Sequence, residues 1–64
     1  MKTRFVRADE LRVGQLVWER EEEHQLLRVR DAADGTLVLT LRPAMGPALE
    51  VRVAPWAQLS VIES

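Results

Sequence analysis

The sequence contains no cysteine, and this absence removes two devices that often hold very small domains together. Neither a disulfide nor a thiolate metal site can form, so the fold has to be held by its own apolar core. With 64 residues, the chain is expected to be one domain, 1–64. A domain of this size buries only about 60% of the surface that its unfolded chain exposes.

Long apolar runs and an excess of one charge are also missing. Residues 1–7 carry positive charge with no apolar run behind them, which is the pattern of neither a signal peptide nor a membrane span. We therefore expect a soluble, cytoplasmic protein with no membrane partner. The net charge of −1 and the pI near 5.7 argue against a surface that is basic throughout, but they allow a local basic patch.

Side chains that perform catalysis are scarce. His24 is the only histidine, and Ser60 and Ser64 are the only serines. No nucleophile with a base and an orienting group can be assembled from them, so we expect no enzyme, no catalytic residue, no cofactor and no small-molecule substrate. The run Glu21–His24 offers adjacent oxygen and nitrogen ligands, yet neighbours in an extended loop point in different directions. We interpret this run as a solvated loop and expect no metal.

Three alternating runs organise the chain. They are Gln25–Arg30, Thr36–Arg42 and Ala48–Val53. In the middle run Leu37, Leu39 and Leu41 repeat at a period of two, which puts all three on one face of a strand. The pair Asp34-Gly35 before this run supplies the positive φ that a hairpin needs, and Pro43 and Pro47 end the strands on either side of the next connection.

The same alternation assigns the other strand faces. It predicts that Leu27 and Val29 point inward, and that Leu49, Val51 and Val53 do so on the third run. Further strands are predicted at Thr3–Arg7, Gln15–Arg20 and Leu59–Glu63, and a short helical turn at Pro55–Gln58. In the second of these strands we expect Leu16 and Trp18 inward. The layout is that of an all-β fold, a small SH3-like barrel of five to six short antiparallel strands.

The run from Ala8 to Val17, Ala-Asp-Glu-Leu-Arg-Val-Gly-Gln-Leu-Val, followed by a hairpin-rich barrel, resembles the opening of the SH3-like, KOW-type domain at the N-terminus of elongation factor P and its relatives. The resemblance implies a barrel that contacts tRNA or the ribosome through a basic residue in a Gly- and Pro-rich loop before the central strand. In this chain the corresponding loop, Asp31–Gly35, has two acids and no basic tip.

Apolar residues at outward positions favour a binding or adaptor module. The outward set consists of Val17, Leu26, Val38 and Ile62. Because a contiguous apolar surface marks an interface, we expect a protein partner or a homo-oligomer in preference to nucleic acid. Trp56, between Pro55 and Ala57, either plugs one end of the barrel or stands exposed as an anchor.

Arginines suggest the alternative function. Four of them fall on outward positions of the three central runs, namely Arg28, Arg30, Arg42 and Arg52. Guanidinium groups on one face suit contacts with phosphate, so the alternative is a small RNA- or DNA-binding barrel. Cross-strand pairing of these arginines with Glu19, Asp31 and Glu50 on an ordinary wet face is the simpler interpretation.

Overall fold

A computed structural model of the chain describes residues 1–63 and contains six β-strands. The strands are β1 (Lys2–Arg7), β2 (Leu16–Glu19), β3 (Glu22–Asp31), β4 (Leu37–Pro43), β5 (Leu49–Val53) and β6 (Gln58–Glu63). One 3₁₀ turn, Ala8–Glu10, follows β1. The predicted all-β class is therefore confirmed.

The six strands form one antiparallel sheet in the order β1-β6-β2-β3-β4-β5. Strands β2 to β5 make a meander, and β6 returns to lie between β1 and β2. Within residues 1–63, β1 and β5 each pair on one side only, so the sheet is open and a closed barrel is not confirmed. The end of β1 is tied to the connection between β5 and β6, because Ala8 N–H donates to Ala57 O at 2.7 Å and Asp9 N–H to Pro55 O at 3.0 Å.

The core lies on one face of this sheet, called the inner face here, and it is aliphatic. Its buried members are Val6, Ala8, Leu11, Val17, Leu26, Leu37, Leu39, Leu41, Leu59 and Val61. The period-two leucines of β4 are all among them, as predicted. On β5, Leu49, Val51 and Val53 pack against this core while Glu50 and Arg52 are exposed, so the predicted faces of that strand are also confirmed.

A β-bulge overturns the predicted face of Leu26 on β3, whereas Val29 packs against the core as predicted. Leu26 pairs with Leu41 and Arg28 pairs with Thr40, which leaves Leu27 as an extra residue between them. Because the bulge shifts the alternation by one, Leu26 lies on the inner face and is fully buried. The prediction that Leu26 points outward is therefore wrong, whereas Arg28 and Arg30 remain outward and exposed.

The predicted faces of β2 are wrong as well. Val17 pairs with His24 on one side and Val61 on the other, and it is fully buried. Its neighbours Leu16 and Trp18 consequently lie on the opposite, outer face, where Trp18 is 37% exposed. Leu16-Val17-Trp18 is apolar at all three positions, so alternation alone gives no means of choosing the inward side.

Two connections differ from the predicted loops. The residues Glu22, Glu23 and His24 belong to β3 rather than to a solvated loop, and His24 is buried. The stretch predicted as a helical turn is a β-turn, in which Ala57 N–H donates to Ala54 O at 3.0 Å. Proline at the second position of that turn, Pro55, already has the φ that the turn requires.

Candidate protein-interaction surface

All three aromatic residues of the chain lie on its surface. Phe5 and Trp56 are 71% and 70% exposed, and Trp18 is the partly covered third. Large aromatic side chains normally supply much of a core because they bury the most area. Here aliphatic residues fill the core instead, so the aromatic surface is available for contact with another molecule.

Two of these aromatic side chains belong to one compact patch on the outer face of β1, β6 and β2. Ser60 on β6 pairs with Phe5 on one side and with Trp18 on the other. Adjacent strands are about 4.8 Å apart, so the Cα atoms of Phe5 and Trp18 lie about 10 Å apart across this small serine. One pleat further along β6, Ile62 pairs with Leu16. We call Phe5, Leu16, Trp18 and Ile62 the outer patch.

A polar groove borders the outer patch on the β3 and β4 side. Its lining consists of Leu16, Glu23, Gln25, Arg42 and Ala44. Arg42 donates to the side-chain oxygen of Gln25 on the neighbouring strand, which holds the guanidinium over the groove. An apolar centre beside a polar margin with one acid and one base is the arrangement of an ordinary protein interface.

The residues predicted to bind a partner are divided by the structure. Ile62 is half-buried within the outer patch, and Trp56 stands exposed on the turn between β5 and β6. Val17 and Leu26 are core residues, so their predicted place on a partner-binding surface is wrong. Val38 does lie on the outer face, between Arg30 and Arg52 of the neighbouring strands, but only 3% of it is exposed.

Sequence reasoning missed Phe5, Leu16 and Trp18 as surface residues. The alternation of β2 assigned Leu16 and Trp18 inward, and the weak alternation of β1 gave Phe5 no face. The signal that was available is Ser60, a small polar residue between Leu59 and Val61, which identifies the outer face of β6 once the pairing of β6 is known. Strand pairing places Phe5 and Trp18, the aromatic neighbours of Ser60, on that face. The composition of the strands does not.

The four arginines predicted to lie outward are all exposed, and they occupy the outer face of β3, β4 and β5. Arg30 and Arg52 flank Val38, and Arg28 lies opposite Thr40. Arg52 Nη1 is 3.4 Å from Asp34 Oδ2. The acid that pairs with Arg52 is therefore Asp34, in place of the three that were predicted.

Charge is distributed unevenly along β3. The strand begins with Glu22 and Glu23 beside the turn residue Glu21, and its far end carries Arg28 and Arg30. At about 3.3 Å per residue, the acidic and basic ends lie roughly 20 Å apart. This separation reduces the repulsion that a polyanion would meet at Arg28 and Arg30, although exposed Asp31 ends the same strand and Asp34 pairs with Arg52.

Buried His24 lies on the inner face of the sheet, paired with Val17 of β2. Its Nδ1 lies 3.2 Å from the carbonyl oxygen of Glu22, and its Nε2 lies 4.0 Å from Glu22 Oε1. The side chains of Glu21, Glu22 and Glu23 are exposed, as the predicted solvated loop requires, but only Glu21 lies in a turn and His24 is buried. Among residues 1–63, no group of three or more His, Cys, Asp or Glu side chains is arranged to hold a metal ion.

Two exposed carboxylates have perturbed titration. The pKa of Asp34 is lowered, first because its carboxylate accepts a hydrogen bond from Thr36 Oγ1 at 2.6 Å and then because it accepts one from Thr36 N–H at 3.0 Å. The pKa of Asp9 is lowered by its side-chain hydrogen bonds with Arg7. The Asp34 carboxylate stabilises the loop between β3 and β4, and the Asp9 carboxylate pairs with Arg7 at the end of β1. Neither carboxylate lies in the outer patch.

Neither a protein-family profile nor a curated protein sequence matches this chain. Within residues 1–63, no helix is long and apolar enough to cross a membrane.

Proposed function

We propose that the chain is a non-enzymatic binding or adaptor module that engages a protein partner, or a second copy of itself, through apolar surface and strand edges. The observation that carries this proposal is the exposure of Phe5 and Trp18 in the outer patch while the core is wholly aliphatic. Aromatic residues are enriched at the centres of interfaces, where a few anchors provide most of the binding energy. Trp56 is a further exposed anchor on a neighbouring turn.

A double variant of the outer patch tests this function. Phe5→Ser with Trp18→Ser should abolish recovery of partners in a pull-down, with a cooperative melt retained. The matched control is Val13→Ser with Met45→Ser, which removes two other exposed apolar side chains, 66% and 87% exposed, from loops. Equal association by both double variants and the parent protein would contradict the proposal.

The fold is proposed to be related to SH3-like barrels. Support comes from the single core on one face of a six-stranded antiparallel sheet, and from the hydrogen bonds that tie the end of β1 to the turn after β5. The relation to elongation factor P is proposed for the fold alone. The loop after β3 carries Asp34 where that family has a basic residue, and nothing here supports the same activity.

The alternative function is binding of RNA or DNA through the arginine face. The observation that favours it is the separation of Arg28 and Arg30 from the acidic start of β3. If these groups contact phosphates, affinity for a mixed-sequence oligonucleotide should fall steeply with salt. Replacing two of them by alanine should lower the log–log slope by about two. Arg12→Ala with Arg20→Ala is the control, and absence of binding at low salt would remove this function.

A further inference from the structure

Strand β5 leaves one edge of the sheet open. Within residues 1–63, it pairs with β4 and with no other strand. The unpaired backbone N–H and C=O groups of such an edge form a template for another strand. The proposed function includes binding through strand edges. The inference below rests on that function and specifies one strand edge and the partner that it accepts.

The opposite edge of the sheet, β1, is protected against strand addition. It carries three basic residues, Lys2, Arg4 and Arg7, and no acid. Two of them, Lys2 and Arg4, share the inner-facing alternation of Val6, and inward-pointing charges are a common defence of edge strands. Arg4 is held further by Glu63, with Nε 2.6 Å from Oε1. This leaves β5 as the edge suited to pairing.

The sequence of β5, Leu-Glu-Val-Arg-Val, is complementary to itself in the antiparallel sense. We propose that two copies of the chain pair β5 to β5 about a two-fold axis through Val51. In this register Glu50 of each copy lies opposite Arg52 of the other, and Leu49 lies opposite Val53. Both charged side chains are exposed, so two ion pairs form on the outer face while the apolar side chains continue the inner face.

Other registers are unfavourable. A two-fold axis through residue 50 places the two Glu50 side chains opposite each other, and an axis through residue 52 does the same with Arg52; like charges in opposed positions destabilise a sheet. A slip of one residue would put the apolar side chains of one copy on the same face of the combined sheet as the charged side chains of the other. Pro47 and Pro55, which cannot donate to a ladder, limit the pairing at both ends.

Arg52 can pair with Glu50 of the second copy and keep its existing contact with Asp34. Its Nη1 lies 3.4 Å from Asp34 Oδ2 and 3.3 Å from Thr36 Oγ1, and the side chain is 57% exposed. A guanidinium group has five N–H donors, so the remaining donors are available to Glu50 of the second copy.

Cross-linking tests the register. The Cα atoms of residues opposite each other in an antiparallel pair are about 4.5–5.5 Å apart, within the range of a disulfide. Val51→Cys should therefore form a covalent dimer rapidly under mild oxidation, and the chain has no other cysteine to complicate the result. Val53→Cys is the matched control on the same face of the same strand. In the proposed register, residue 53 of one copy lies about 13 Å along the strand direction from residue 53 of the other. This variant should therefore cross-link slowly.

Charge exchange tests the ion pairs without changing the core. Glu50→Arg alone and Arg52→Glu alone oppose like charges in the homodimer, so each should weaken self-association by about tenfold or more. An equimolar mixture of these two variants restores both pairs and should dimerise as the parent protein does. Arg30→Glu changes the same charge on β3, away from the edge, and should have no effect. Sedimentation velocity measures association, and circular dichroism verifies that each variant is folded.

Several results would overturn the pairing. A parent protein that is monomeric at millimolar concentration would do so, as would equal cross-linking at positions 51 and 53, or a mixture of charge variants that stays monomeric. If self-association is lost in Phe5→Ser with Trp18→Ser and is unchanged in both charge variants, the proposed function stands and the β5 pairing fails. If neither set changes any association, both proposals fail.

Discussion

Individual residues determine how the hairpins close. After β3, Ala32 N–H donates to Thr36 O at 2.8 Å and Gly35 N–H donates to Ala32 O at 3.1 Å. This is a three-residue loop in which the last position needs a left-handed conformation, and Gly35 has φ +86°. The prediction from the Asp34-Gly35 pair is confirmed. It succeeded because the requirement for positive φ is local and few residues meet it.

Gly35→Val should lower the free energy of unfolding by about 1–2 kcal/mol, because a β-branched residue is strained at positive φ. No heavy atom lies within 4 Å of a Cβ added there, so the cost is one of backbone conformation alone. Ala33→Val in the same loop is the control and should change stability little. Urea denaturation of both variants measures the difference, and equal tolerance at the two positions would contradict the turn assignment.

The hydrogen bonds on Asp34 make stability depend on pH. Thr36 lowers the pKa of this carboxyl in the folded state, so the folded protein is stabilised when the pH is above the unfolded value of about 3.9. That contribution is lost as the pH falls through the lowered folded pKa. Asp34→Asn should therefore show a smaller loss of stability below about pH 4 than the parent protein in thermal melts at low pH. Thr36→Val should raise the pKa of Asp34 in an NMR titration, and an unchanged value would contradict the assigned cause.

At the scale of the strands, the sequence predicts the elements better than it predicts their faces. Strand β4 was assigned correctly because Leu37, Leu39 and Leu41 alternate with other residues and lie in the centre of the meander. Strand β3 was not, because the bulge at Leu27 depends on how Leu26 and Arg28 register against β4. No local signal in β3 marks that irregularity. The faces of the outer-patch residues also depend on strand pairing. Of these four residues, the sequence pattern assigned only Ile62 to the outer face.

The turn between β2 and β3 holds two non-glycine residues in the left-handed region, Arg20 at φ 53° and Glu21 at φ 61°. A two-residue hairpin with positive φ at both positions is a type I′ turn, which favours Asn-Gly. Arg20→Asn with Glu21→Gly should therefore raise the free energy of unfolding by about 1 kcal/mol or more. Glu22→Gly, one position into β3, is the control and should lower it. A double variant less stable than the parent would contradict this turn geometry.

For the molecule as a whole, the two faces of one sheet differ in composition. The inner face holds the aliphatic core, and the outer face carries the outer patch over β1, β6 and β2 and the arginines over β3, β4 and β5. A one-sheet domain of this size has few residues to spare for its core, yet its largest side chains are on the surface. The proposed binding function predicts this arrangement, because those side chains then act on association and not on folding.

Adjacent residues of β2 allow the most direct test of that division, since Val17 is fully buried on the inner face and Trp18 lies in the outer patch. Val17→Ala should lower the free energy of unfolding by about 1.5–3 kcal/mol. Trp18→Ala should lower it by about 1–2 kcal/mol, because part of this side chain is exposed in the folded chain, and should weaken binding of a partner. Thermal melting measures the first effect, and a pull-down of partners by the two variants measures the second. A Trp18→Ala protein that unfolds while Val17→Ala melts like the parent would contradict the assigned faces, and a folded Trp18→Ala protein with undiminished association would contradict the binding function.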